Sequence, residues 1–124
     1  MKKSIVVAAL LPALACAQPS VPTEFPADAQ PLAAAAVSER VSGKVIHVQP
    51  AQGPSWRLEY RNGGYAYLDT ANGFRDTGRW RVEDGKLCTE WKKAPSGCNE
   101  VRESGGTLYL KRISGEVVTL VARP

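Results

Sequence analysis

Few residues of this chain could do chemistry, and they are scattered: three cysteines, one histidine and twelve carboxylates among 124 positions. Cys88 and Cys98 stand ten residues apart. That separation suits a disulfide-closed loop and differs from the Cys-x-x-Cys spacing of redox or zinc sites. Closing such a loop stabilises a fold by roughly 2 to 3 kcal/mol on chain-entropy grounds. His47 is the only histidine, so triad chemistry could draw on that residue alone and a multi-histidine zinc site is excluded. Paired carboxylates for acid and base are conceivable among Asp69, Asp76, Glu83 and Asp84. They are expected in or beside turns, where Asp caps the backbone instead. Each glycine pair falls at a hairpin rather than before a helix, so no phosphate cradle is expected. The reading is a chain with no catalytic residues, no cofactor and no metal.

Binding has better support than catalysis. Tyr65 and Tyr67 share one face of a strand, and Trp56 and Tyr60 are expected beside them as a groove or barrel mouth for an apolar or sugar ligand. Arg57, Arg79 and Arg81 are expected as an outer basic strip toward an acidic partner. For both groups the plainer account is a small core and a solvated face.

The elements that must position these residues begin after an export signal. Lys2 and Lys3 precede an apolar run from Ile5 to Leu14, too short to cross a bilayer, and small residues follow at 15–17. Residues 1–17 therefore read as a signal peptide, and the mature chain as periplasmic or secreted. Ala13-Leu14-Ala15-Cys16 resembles the lipobox of bacterial lipoproteins, which implies lipidation of Cys16 and an outer-membrane anchor; a soluble cut after Ala17 is the alternative. Removing Lys2 and Lys3 lowers the formal charge from +4 to +2. No run of like charge then remains to mark a nucleic-acid or membrane footprint, so a membrane is expected only through a lipid at Cys16.

Residues 18–27 are Pro-rich and read as a tether. A single domain over 28–124 follows. Asp28 is placed to cap a short helix at about 29–42, with Pro31 in its first turn, Val37 and Val41 on its packing face and Gly43 as its stop. From Lys44 the period changes to two. Strands are expected at 44–48, 56–60, 65–68, around Trp80 and Val82, and at 87–91, 98–102, 107–112 and 117–122, separated by Asn-Gly, Asp-Gly, Gly-Gly and Ser-Gly turns. The fold class is mainly β: an antiparallel meander of seven or eight strands rolled into a curled sheet or small barrel, with one N-terminal helix. Within it, Trp80 and Val82 face inward against Arg79, Arg81 and Glu83, and Leu87, Thr89 and Trp91 inward against Cys88 and Glu90. A barrel this small is expected to fill its interior with its own side chains.

The run DTGRWRVEDGKLCTEWKK, followed by a second cysteine and a Leu-Tyr-Leu strand, resembles a family of small exported bacterial proteins of unknown function, from about Gly43 to the C-terminus. The resemblance implies an envelope or periplasmic location and a disulfide, and brings no catalytic residues. The functional expectation is a non-enzymatic exported β domain with a binding or structural role. A protease-inhibitor-like or lipocalin-like barrel for a small ligand comes second and a carboxylate hydrolase third. The partner is an unidentified protein, a glycan or a small apolar molecule, and not nucleic acid.

Overall fold

The computed structural model describes residues 20–123. The signal peptide expected at 1–17, Cys16 included, lies outside them. The described chain forms two-residue β1 (Gln30–Pro31), helix α1 (Ala34–Val41) and strands β2 (Lys44–Val48), β3 (Trp56–Tyr60), β4 (Tyr65–Thr70), β5 (Arg75–Glu83), β6 (Lys86–Trp91), β7 (Gly97–Ser104), β8 (Thr107–Lys111) and β9 (Val117–Arg123). Each strand from β2 to β9 pairs antiparallel with the next, and β9 returns to β2 through Val45↔Arg123, Ile46↔Ala122 and His47↔Val121. The expected meander is thus a closed eight-stranded barrel. Closure gives every barrel strand a paired neighbour on each side.

Short turns set the register. At Asp84-Gly85 both residues take positive φ, 48° and 73°, as a two-residue hairpin of matching twist requires. Gly85 is doubly constrained, because a Cβ there would lie 2.6 Å from the carbonyl oxygen of Leu32. The loops at 42–43, 61–64, 84–85 and 105–106 gather at one end of the barrel. The longer loops at 49–55, 71–74, 92–96 and 112–116 gather at the other.

Helix α1 closes the first end, packed against β5, β2 and β6. Val37 and Val41 reach the core with no exposed surface and join Ile46, Leu58, Ala66, Leu87, Val101 and Leu108 there. Arg40 fastens the helix by donating to the Gly106 carbonyl at 2.7 Å and pairing with Glu103 at 3.1 Å. A hydrogen bond between the Ser42 and Asn62 side chains holds its C-terminal cap to the β3–β4 turn.

Two expectations for the N-terminal segment are corrected. The helix begins at Ala34, with Ala33 as a cap that makes no side-chain bond, so Asp28 does not cap it and Pro31 is not in its first turn. The residue before a proline is driven toward extended geometry, and here Gln30 and Pro31 pair with Glu103 and Arg102. They occupy the edge of β7 that β6 leaves open beyond Lys86↔Glu100. Nor is the Pro-rich stretch a free tether over its described part. The Val117 N–H donates to the Pro22 carbonyl at 2.7 Å, and the Arg102 guanidinium stacks 4.8 Å from the Phe25 ring.

Candidate ligand cavity

The second end of the barrel is open. Trp56 and Leu58 from β3, Leu68 from β4, Trp91 from β6 and Leu110 from β8 line a cavity of about 580 Å³ whose floor is Tyr60 and Thr89 and whose rim carries Phe74 and Ile113. Apolar pockets for small ligands fall at ~300–1,000 Å³. The expectation that side chains fill the interior therefore holds for the helix end only. Large side chains crowd inward there, whereas at the open end Trp56, Leu68 and Trp91 are only partly buried against the core.

Local bonds shape each part of the wall. In the β4–β5 turn, Thr70 N–H donates to the Phe74 carbonyl at 2.9 Å and Phe74 N–H to the Thr70 hydroxyl at 3.1 Å, which lifts the phenyl ring to the rim. In the β8–β9 turn, Arg112 N–H donates to the Glu116 carbonyl at 2.7 Å and the Arg112 guanidinium pairs with the Glu116 carboxylate at 2.6 Å. The same carboxylate accepts from the Ala51 N–H at 2.9 Å, so buried Glu116 ties the β2–β3 loop to the β8–β9 turn. Arg112 lies 4.4 Å over the Trp56 ring and places one compensated cation beside the apolar wall.

The β6–β7 loop is held by Asp76, which lies inside β5 at 4 % exposure rather than in or beside a turn as expected. Its carboxylate accepts from the N–H groups of Ala94 at 2.8 Å, Lys93 at 2.9 Å and Thr77 at 2.8 Å. Burial alone would raise this carboxyl. The donors at Ala94, Lys93 and Thr77, with the Lys93 ammonium nearby, outweigh burial and hold it below its ordinary value. Asp76 thereby fixes Ala94 and Pro95, which form part of the cavity wall. The other carboxylates considered for catalysis are engaged on the outer surface or in a turn: Asp69 with Arg75 at 3.0 Å, Glu83 with Arg81 at 3.0 Å, and Asp84 at its hairpin. His47 sits half-buried on β2 opposite Arg57 and Val121.

The expected aromatic groove is split between the two faces of the wall. Tyr60 pairs with Ala66 and Glu59 with Tyr67, so Trp56 and Tyr60 point inward while Tyr65 and Tyr67 point outward. Tyr60 meets Trp80 edge to face at 5.7 Å. Burial drives its phenol pKa strongly upward, and a hydrogen bond with Thr89 offsets only part of that rise. Outside, Arg79 stacks on Tyr65 at 4.9 Å and Arg61 on Tyr67 at 4.5 Å. The basic strip is in part neutralised: Arg57 pairs with Asp69 and Glu59 and Arg81 with Glu83 and Glu90, while Arg79, beside Arg81 on the outer face of β5, stacks on Tyr65.

Cys88 and Cys98 are directly opposed on β6 and β7 and bonded at 2.07 Å. The bridge closes the base of the loop that Asp76 holds. It also uses both sulfurs of the Glu83–Cys88–Cys98 cluster, which would otherwise suit a metal. Phe74, Ile113, Arg112 and the buried Asp76 were not among the binding residues expected from sequence. Trp91 was legible as an inward residue through its alternation with Leu87 and Thr89. Comparison with protein families, with curated proteins and with solved structures finds no match to this chain.

Proposed function

We propose that this chain is a non-enzymatic binding protein that takes a small apolar molecule into the open end of its barrel. The observation that carries this reading is the cavity of about 580 Å³, whose walls are mainly aromatic and aliphatic with Thr70, Thr89, Asn99, Arg112 and Ser114 among them. An eight-stranded up-and-down barrel, closed at one end and open at the other, is the arrangement that lipocalin-like carriers use. That architecture supports the ligand-carrier reading over a purely structural role. The disulfide is consistent with work in an oxidising periplasmic or extracellular space. Among the described residues no helix is long and apolar enough to cross a membrane.

The test is titration with the neutral fluorophore N-phenyl-1-naphthylamine. Saturable one-to-one enhancement is expected for the full chain. Leu68→Trp, which fills the cavity from its wall, should weaken it at least roughly tenfold with the circular dichroism unchanged. Arg57→Gln, on the outer side of the neighbouring strand, should leave it unaltered. Absence of saturable enhancement in the parent chain removes the proposal.

A further inference from the structure

The four loops around the mouth differ in chemistry from those at the closed end. Phe74, 40 % exposed, and Ile113, 67 % exposed, are two of the five most exposed large apolar side chains among the described residues, and both stand on the rim. At the same end are exposed cations: Lys93 and Lys92 on the β6–β7 loop, Lys92 toward the outer wall near Glu90, and Arg75, paired with Asp69 yet 84 % exposed at its side chain, directly after Phe74. The acidic groups facing this region are already committed. Glu116 is buried against Arg112, Asp76 is buried under its three N–H donors, and Asp69 lies between Arg57 and Arg75. The residues of the four mouth loops carry Lys92, Lys93 and Arg112 against Glu116, a formal +2. Those of the closed-end loops carry Arg61 against Asp84 and sum to zero.

Exposed apolar side chains ringed by cations suit a surface that is apolar inside and anionic outside. An anionic bilayer has that profile. A second copy of this chain does not, because two mouths placed face to face would oppose cation to cation. The apolar cavity opening at the same rim adds a reason for contact, since its cargo dissolves in hydrocarbon better than in water. We infer that the mouth docks on an anionic lipid surface through Phe74 and Ile113, with Arg75, Lys92 and Lys93 on the headgroups, and draws an acyl chain from it into the cavity. This rests on the cavity-binding reading above and names the class and source of the ligand.

The test places an indole on the rim and another at the closed end. Full-length Ile113→Trp and Lys86→Trp are mixed with vesicles of phosphatidylglycerol bearing brominated acyl chains, which quench only indoles that enter the lipid. The readout is local and reports the rim whatever the N-terminal segment does. Emission added at position 113 should be strongly quenched, and that added at 86 should not. Vesicles of brominated phosphatidylcholine should quench position 113 far less. Arg75→Gln, Lys92→Gln and Lys93→Gln together should weaken binding to the anionic vesicles at least roughly tenfold, as removal of three surface cations implies. No quenching at 113, or equal quenching at both positions, with naphthylamine still bound, overturns the docking and leaves the cavity reading standing. Quenching at 113 with no naphthylamine binding removes the acyl cargo instead. A blue-shifted position 113 in a lipid-free dimer would assign the face to a second copy and overturn the inference.

Discussion

The two ends of this barrel are made of the same strands yet are finished in opposite ways. At the helix end the connections are tight glycine turns, Val37 and Val41 enter the interior with no exposed surface, and Arg40 and Ser42 fasten the helix to the hairpins around it. At the mouth the loops are longer, Trp56, Leu68 and Trp91 stay partly uncovered, and Phe74 and Ile113 face solvent. A closed sheet needs only one filled end to secure a core. The other can then be kept open by polar ties, Asp76 under the β6–β7 loop and Glu116 between the β2–β3 and β8–β9 loops.

If the ends divide stability from binding, substitutions should separate the two. Ile46→Ala removes a fully buried side chain beneath the helix and should lower unfolding free energy by roughly 2 to 5 kcal/mol. Phe74→Ala, on the rim, should cost under about 1 kcal/mol. Naphthylamine affinity should respond in the reverse order, falling with Phe74→Ala and holding with Ile46→Ala under folding conditions. Urea denaturation beside the fluorescence titration measures both. Equal stability losses at the two positions would erase the division.

The disulfide crosses that division, joining the two strands that carry the loop of Ala94 and Pro95 while Cys88 lies beside Glu83 of the closed-end hairpin. Cys88→Ser should lower stability by roughly 2 to 3 kcal/mol for the ten-residue separation and leave a free thiol at Cys98. Naphthylamine affinity should fall in the same variant, because the wall is no longer drawn tight at its base. An unchanged melting temperature would show that the hydrogen-bonded ladder alone fixes the hairpin.

Much of the frame was legible in the sequence because it is local. Asp-Gly and Gly-Gly pairs mark hairpins, and Trp80 with Val82 or Leu87 with Thr89 mark the inner side of their strands. What could not be read was how one strand's inner side matches its neighbour's. Tyr65 and Tyr67 alternate as cleanly as Trp56 and Tyr60, and only the pairing of Tyr60 with Ala66 sends the tyrosines outward. The rim is harder still, since Phe74, Lys92 and Ile113 are far apart along the chain and meet only when the barrel closes. The N-terminal correction has the same origin: Gln30 and Pro31 left the expected helix for an edge of β7 that exists only in the folded sheet.

Asp76 gives a smaller effect than the buried isoleucine or the disulfide, and the one with a direction in pH. Asp76→Asn keeps an acceptor oxygen but removes the charge that three N–H groups address, so it should cost roughly 1 to 2 kcal/mol at neutral pH. Because the folded carboxyl titrates below its ordinary value, its contribution is complete above the unfolded pKa, near ~3.9 for Asp, and is lost as pH falls through the lower folded value. The difference between parent and Asp76→Asn should therefore be constant from neutral pH down to mildly acid conditions and shrink below about pH 4. Urea denaturation at neutral and strongly acid pH measures it. The bonds in question hold a cavity wall and not the core, so naphthylamine affinity should weaken on the same acid limb while the helix end, whose fastening at Arg40 keeps the Gly106 carbonyl, stays folded. Loss of both ends together on that limb would mean that the mouth and the core are one cooperative unit.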